Sequence, residues 1–442
     1  MPNCYQIVPG SRLERFGRLN QIASAGRIAR LPYELLSVRY SRNAGASRSL
    51  SFKTRVMNTT IHKQRRPFDD PVAAPKPHPR FIPPPYTNLQ NLSLPLNAID
   101  AALEKRVQSA GKIVFHALGD SGGVYGPEAQ EAVAHAMEAQ FTGKSDSPAP
   151  DDPAFFYHLG DVIYFNGETA LYPTQFYEPY QYYPANIFAI PGNHDGDTHV
   201  QKGDPPDEEP SLTGFVTNFC DSQRRYLSPY RPTMTQPYVY WTLETPLATI
   251  IGLYSNVDGL LDGRGAVEQA KWLQNQLDAA PDDRCLLIAV HHPPYSLDSA
   301  HGGYAEIGDA IDRAIQASRT NRYPDIVLSG HVHNYQRFTR TLGKRAIPYV
   351  VAGGGGYANK PSRMHRLQKD LATGEQPTTG HATADATVVF EAFNEKDAGF
   401  LRITIDKHTL VGEYFIVPFD GSAVSPGDRF TLDWHHHTVK TG

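Results

Sequence analysis

Ile113-Val114-Phe115-His116-Ala117-Leu118-Gly119-Asp120 is a continuous apolar run of strand length that stops on a glycine and an acid. The arrangement recurs. Phe155-Phe156-Tyr157-His158-Leu159 stops on Gly160-Asp161, and Ile187-Phe188-Ala189-Ile190 on Pro191-Gly192-Asn193. Residues 286–290 stop on His291, and Ile326-Val327-Leu328 runs into Gly330-His331. Short unbroken apolar runs bounded by turn residues predict strands buried on both faces. Between them, 128–141, 266–280 and 307–317 carry helical spacing, the second with Val267, Ala270, Trp272, Leu273 and Leu277 toward a core. Further strands are expected at 238–243, 248–253 and 349–352, with three antiparallel strands, 387–393, 399–405 and 410–417, closing the domain. Strand–helix alternation followed by strand runs predicts two sheets flanked by helices.

Outward from this region the character of the chain changes. Residues 1–56 hold only Glu14 and Glu34 as acids, against nine arginines from Arg12 to Arg55. That composition fits an organellar transit peptide, a basic disordered arm, or a true start at Met57; the last two are favoured here. No compact apolar segment follows Met1, so no secretory signal is read and a cytoplasmic location is expected. Residues 57–110 read as a Pro-rich linker, with Pro75, Pro77, Pro79 and Pro83 to Pro85, followed by a short helix near 96–110. The catalytic domain is expected over 111–420 and a tail over 421–442. Within the domain, 196–235 reads as a polar insertion, a lid or substrate-shaping loop with Asp204, Asp207, Glu208 and Glu209.

Bulk properties exclude several classes. At 442 residues, 40% hydrophobic and 20% charged, the chain has the composition of a globular protein. A net charge of −4 gives no reason to expect nucleic acid as the main partner, and no apolar run approaches a membrane span. An anionic substrate therefore needs a local positive centre, which bound metal ions provide. Three cysteines, Cys4, Cys220 and Cys285, make no disulfide framework, although a pair involving Cys220 stays open.

The residues at the strand ends carry the chemistry. Asp120, Asp161, Tyr164, Asn193, His291, His331 and His333 are the candidate metal ligands, with the glycine before each motif expected to let the backbone turn sharply. Oxygen and imidazole donors suit Fe, Mn and Zn, and no thiolate set is present. A single Gly-Asp pair is far more often a turn than a ligand. The ordered set of motifs reverses that judgement and points to a two-metal site of the kind used in phosphoryl hydrolysis.

These motifs read Gly119-Asp120-Ser121-Gly122, Gly160-Asp161-Val162-Ile163-Tyr164, Gly192-Asn193-His194-Asp195, Ile288-Ala289-Val290-His291 and Gly330-His331-Val332-His333. Over about 112–417 the chain resembles the calcineurin-like metallophosphoesterases, and among them the purple acid phosphatases. The wider superfamily begins Asp-x-His; here Gly122 stands in place of that histidine and Tyr164 is added. The resemblance implies an α/β (α+β) fold, a four-layer αββα sandwich of two mixed β-sheets flanked by helices. It implies Asp120, Tyr164 and His333 on Fe(III), Asn193, His291 and His331 on a divalent Fe, Zn or Mn ion, and Asp161 bridging. It also implies hydrolysis of small-molecule phosphate monoesters by a metal-bound hydroxide, with His194 beside the phosphate, His301 in a secondary catalytic role and His292 an outside candidate.

Other histidines invite plainer readings. His116 and His158 lie on strands and read as core or supporting groups. The tract His435-His436-His437 reads as an exposed run of no importance, and Gly353 to Gly356 as a structural turn near the metals. Two rival functions remain: a phosphodiesterase on the same site, and a non-catalytic metal-binding scaffold. Oligomeric state and the natural substrate are not legible.

Overall fold

A computed structural model of the chain describes residues 92–442 apart from 145–146, 197–208, 257–260, 262–266 and 370–373. These residues belong to one compact unit, His62–Gly442. The basic leader 1–56, the linker up to residue 91 and Asp204, Asp207 and Glu208 lie outside the described residues.

Two sheets make the interior. One has the order Thr438–Thr441, Ser425–Asp433, Thr409–Val417, Ala398–Asp406, Lys112–Leu118, Phe155–His158, Asn186–Ala189. The last three are parallel, and the others join antiparallel. The other sheet has the order Ser93–Pro95, Trp241–Glu244, Ala248–Leu253, Cys285–Val290, Ile326–Ser329, Arg345–Ala352, Tyr335–Leu342, Val388–Asn394, His381–Ala382. Its centre is parallel through Ala248–Leu253, Cys285–Val290, Ile326–Ser329 and Arg345–Ala352. Every residue of Phe155–His158, Ala248–Leu253, Cys285–Val290 and Ile326–Ser329 is buried, as unbroken apolar runs require.

The sheets face each other through aromatic contacts, Tyr157 on Trp241 with centroids 6.1 Å apart and Tyr335 on Tyr414 at 3.9 Å. Helices Ala101–Ala110 and Glu128–Glu138 pack on the outer face of the seven-stranded sheet, and Val267–Ala279 and Ala305–Ala317 cover the other. The last of these buries Ile307, Ile311, Ala314 and Ile315 on one stripe. The expected four layers are therefore present.

Several details differ from the sequence expectation. The three closing strands divide between sheets: Val388–Asn394 joins one, Ala398–Asp406 and Thr409–Val417 the other. The end of the presumed linker supplies an edge strand, Ser93–Pro95, parallel to Trp241–Glu244. The insertion is not wholly a surface loop, because helix Thr213–Phe219 buries Phe215 and Phe219, with Phe219 against Tyr172 and Phe176 and Phe215 stacked on Phe219. The presumed tail 421–442 adds two strands to the seven-stranded sheet. His437 is drawn in with it, its Nε2 2.7 Å from Arg345 Nη2, while His435 and His436 are exposed. Cys220 and Cys285 are both free.

Strand Tyr335–Leu342 escaped prediction because its run is polar, yet Gln336 and Arg337 are buried. Arg337, 1% exposed, reaches across to Asp428 with Nε–Oδ2 at 2.6 Å and Nη2–Oδ1 at 3.1 Å, and the Tyr335 hydroxyl donates to the same carboxylate at 2.7 Å. Removing one partner of a buried ion pair leaves the other charge uncompensated. Asp428→Ala is expected to cost about 3 kcal/mol of stability, read as a lower denaturation midpoint. Arg429→Ala, at an exposed pair on the same strand, should move it far less; equal shifts would refute this account.

Candidate metal centre

Five strands end at one place. Asp120, Asp161 and Asn193 follow Lys112–Leu118, Phe155–His158 and Asn186–Ala189, which are neighbours in the seven-stranded sheet. His291, His331 and His333 follow Cys285–Val290 and Ile326–Ser329, which are neighbours in the nine-stranded one. The site straddles the carboxyl edges of both sheets.

Asp120, Asp161 and His331 hold left-handed backbone, with φ of 61°, 54° and 69°. Side-chain-bearing residues seldom stay there unless their surroundings force them to. This corrects the role assigned to the glycines. Among Gly119, Gly160, Gly192 and Gly330, only Gly160 has positive φ. Gly192 and Gly330 are needed for space: a Cβ on Gly192 would collide with Asp161 Oδ1, and one on Gly330 would lie 2.7 Å from Asp120 Oδ2.

The seven predicted residues come together in two linked groups. Tyr164 Oη lies 3.1 Å from Asp120 Oδ1, 3.1 Å from Asp161 Oδ2 and 3.3 Å from His333 Nε2. Asn193 Oδ1 lies 3.2 Å from His291 Nε2 and 2.9 Å from His331 Nδ1. Asp161 joins the groups, with Oδ2 also 3.3 Å from His291 Nε2. Donor atoms of Asp161, His291 and His331 all lie within 4.8 Å of one another.

The donor chemistry fits a pair of cations. His291 Nδ1 lies 2.8 Å from the Leu159 carbonyl, which can only accept, so the neutral imidazole has its Nε2 lone pair facing the cluster. His331 Nε2 lies 2.9 Å from the Tyr304 hydroxyl, with Nδ1 on the cluster side. Holding the outer nitrogen is how proteins orient metal-binding imidazoles. Burial and then the carboxylates of Asp120 and Asp161 raise the Tyr164 phenol well above its usual range, a penalty that a bound cation would reverse. Burial lowers His291, but Asp161, Asp120 and the Leu159 carbonyl together outweigh it and, with no cation bound, bring His291 up to about 9; a cation would take the place of the Nε2 proton.

Tyr164 explains the glycine at 122. A Cβ on Gly122 would sit 2.9 Å from the Tyr164 ring and 2.5 Å from Gln175 Oε1. Gln175 in turn clamps Tyr164, accepting from its N–H at 2.9 Å and donating to its carbonyl at 2.7 Å. With Tyr164 and Gln175 in place, position 122 has no room for a side chain.

The substrate-facing candidates divide. His194 packs on Tyr164 with ring centroids 4.4 Å apart and planes tilted by 42°, donates Nδ1–H to the Phe165 carbonyl at 2.7 Å, and anchors its backbone N–H on Asp161 Oδ1. His301 packs against His331 at 4.6 Å; burial, then His333, lowers it to about 3, so it is a neutral imidazole. His292 is 2% exposed, with Nδ1 2.7 Å from Ser255 Oγ and its ring 4.3 Å from that of His331. His158 takes the Gly160 N–H on Nδ1 and reaches Ser121 Oγ at 2.8 Å, steadying two loops. His116 is a core histidine between Tyr183 and Gln140. The glycine turn does support the site: Gly355 N–H bonds to Gly119 O, and Tyr357 N–H to Asp120 O.

Three contributors were missed. Asp195 accepts from the N–H groups of Val162, Ile163 and Gly192 at 3.0, 3.1 and 2.8 Å, tying two loops together. Burial, with Asp161 next, raises it to about 7. Its place in the Gly-Asn-His-Asp motif was the available signal. His365 stacks on His333 at 4.2 Å, and Tyr304 holds His331; neither lies in a motif. Glu209, in the polar insertion, is committed to Thr169.

The family model for calcineurin-like phosphoesterases matches residues 113–335. Purple acid phosphatase 22 of Arabidopsis thaliana is 29% identical over 150 residues, 32% of this chain and 32% of its own length. A protein named as a probable glycerophosphodiester phosphodiesterase of Arcobacter nitrofigilis is 26% identical over 226 residues, 51% of this chain and 67% of its own. A solved purple acid phosphatase from yellow lupin seeds aligns over 73% of this chain and 54% of its own, with 16% identity and a TM-score of 0.47. The chain thus spans only about a third to two fifths of the length of the first purple acid phosphatases it matches. No helix among the described residues is long and apolar enough to cross a membrane.

Proposed function

The chain belongs to the calcineurin-like phosphoesterase family, and from that premise we propose that it is a purple-acid-phosphatase-like phosphomonoesterase with a dinuclear metal centre. One observation carries the finer reading: the Tyr164 phenol between Asp120, Asp161 and His333, in space that excludes a side chain at Gly122. Phenolate and carboxylate favour a hard trivalent ion such as Fe(III), while the amide and imidazoles of Asn193, His291 and His331 suit a divalent one. Bound ions supply positive charge for the phosphate and lower the pKa of water at the site.

The rest is the work of this chain's side chains. Asp161 fixes both donor groups and, through its Oδ1, the backbone of His194. With Nδ1–H held by the Phe165 carbonyl, His194 keeps Nε2 for the leaving oxygen: as the imidazolium it gives up its Nε2 proton as the bond to phosphorus breaks, and is left a neutral Nδ1–H imidazole. Neutral His301, beside His331, offers one N–H to a phosphate oxygen. Small phosphate monoesters are the substrates proposed.

The visible spectrum and metal content of the isolated protein test this. A phenolate-to-iron charge-transfer band is expected, lost in Tyr164→Phe while Asn193, His291 and His331 still hold a divalent ion. A colourless protein with two Zn or Mn ions would reject the tyrosinate–iron assignment. The second reading, a phosphodiesterase, draws on the longer match to the Arcobacter protein; comparing kcat/KM for a monoester and a diester separates the two.

A further inference from the structure

We propose that Tyr125, Phe165 and Tyr357 form the leaving-group subsite, and that the centre takes phosphate esters of alcohols bearing an aromatic ring. The placement of the phosphate rests on the hydrolase reading above. Ring contacts run without a break from the centre to solvent. Tyr357 stacks on Tyr164 with centroids 3.9 Å apart and planes at 23°, and its ring is 4.5 Å from His333. Tyr125 follows at 5.4 Å from Tyr357, and Phe165 meets Tyr125 at 5.7 Å in a T-shape.

The outer two rings are open to solvent, Phe165 40% exposed and Tyr125 36%. Exposed aromatic surface grouped at the rim of a polar site marks a place for a ligand. The rings are also held. The Arg363 guanidinium lies 3.5 Å over the Tyr125 ring and bonds to Asn359 Oδ1, while Asn359 Nδ2 donates to the Tyr125 carbonyl at 2.7 Å. A rim fixed in this way loses little freedom when a ligand stacks on it.

Position links the rim to the chemistry. Phe165 supplies the carbonyl that orients His194, and its ring lies 6.2 Å from the His194 ring. A leaving oxygen that takes its proton from His194 therefore carries its substituent alongside Phe165 and Tyr125. A planar ring there can meet both in stacked or edge-to-face contact, which a flexible aliphatic chain cannot reproduce.

The experiment is calorimetric binding of phenylphosphonate and methylphosphonate to the metal-loaded full-length protein. The two share a head group and differ in the ring. Wild type should prefer phenylphosphonate, and that preference should fall by about threefold to tenfold in Phe165→Ala and in Tyr125→Ala. Phe165→Leu keeps apolar bulk without the ring and replaces Phe165→Ala should that variant fail to fold. Equal affinity in wild type, or a preference unchanged in both variants, overturns the subsite. Hydrolysis of benzyl and butyl phosphate by the same proteins separates the two proposals. Wild type that hydrolyses neither, yet keeps the phosphonate preference, refutes the hydrolase reading and leaves the aromatic subsite standing.

Discussion

Replacing Asp161 with alanine is expected to remove bound metal and activity together. Its Oδ2 lies against Tyr164 Oη and His291 Nε2, one in each donor group, and its Oδ1 accepts the His194 backbone N–H. Among the described residues, no other side chain in the centre meets both groups and His194. Without it the two groups lose their common member, and His194 loses the anchor that sets it over Tyr164. The loss in kcat should be a thousandfold or more, on the order of or beyond what deleting one preorganised donor costs. Elemental analysis and kcat on the same preparation read the two effects, and circular dichroism reports the fold. A folded Asp161→Ala protein with two ions and normal turnover would sink the proposed centre.

The second large effect is expected from Asp195, which touches neither donor group's ligand face. It is fully buried and takes three backbone N–H groups from the loops carrying Asp161, Tyr164 and Asn193. Asp195→Ala leaves those donors buried without partners. At about 1 kcal/mol or more for each unsatisfied group, the loss of stability should reach about 3 kcal/mol. The loops should also loosen, weakening metal affinity by about 10- to 100-fold as other supporting substitutions do. Asp195→Asn keeps one acceptor oxygen and should fall between. Saturating metal should restore most of the rate if Asp195 only positions the loops. A rate that stays low at saturating metal and normal stability would assign it a direct chemical part instead.

Much of the fold was legible because buried parallel strands need unbroken apolar runs. Ile113 to Leu118, Phe155 to Leu159 and Ile326 to Leu328 could hardly be anything else in a chain of this composition. What hid was structure whose burial is polar or late. Tyr335–Leu342 carries Gln336 and Arg337 into the interior, and only Asp428, 91 residues on, makes that tolerable. The end of the chain looked like a tail because Ser425–Asp433 begins with exposed residues, and its buried Phe430 and Leu432 are too few to signal a strand.

The candidate site divides along the same line. Sequence alone determined the residue types, their order and their place after strands, and through Gly122 and Tyr164 the subgroup that the chain resembles. Those features are local, since a short apolar run followed by glycine and a polar residue specifies its own turn. Only the tertiary structure decided that three loops from one sheet and two from the other converge, that Asp161 joins them, and that Asp195, His365 and Tyr304 brace them. It alone brought Tyr125, Phe165 and Tyr357 to one rim. Such contacts come from the packing of one sheet edge against another, across separations in the chain that no local pattern of residues records.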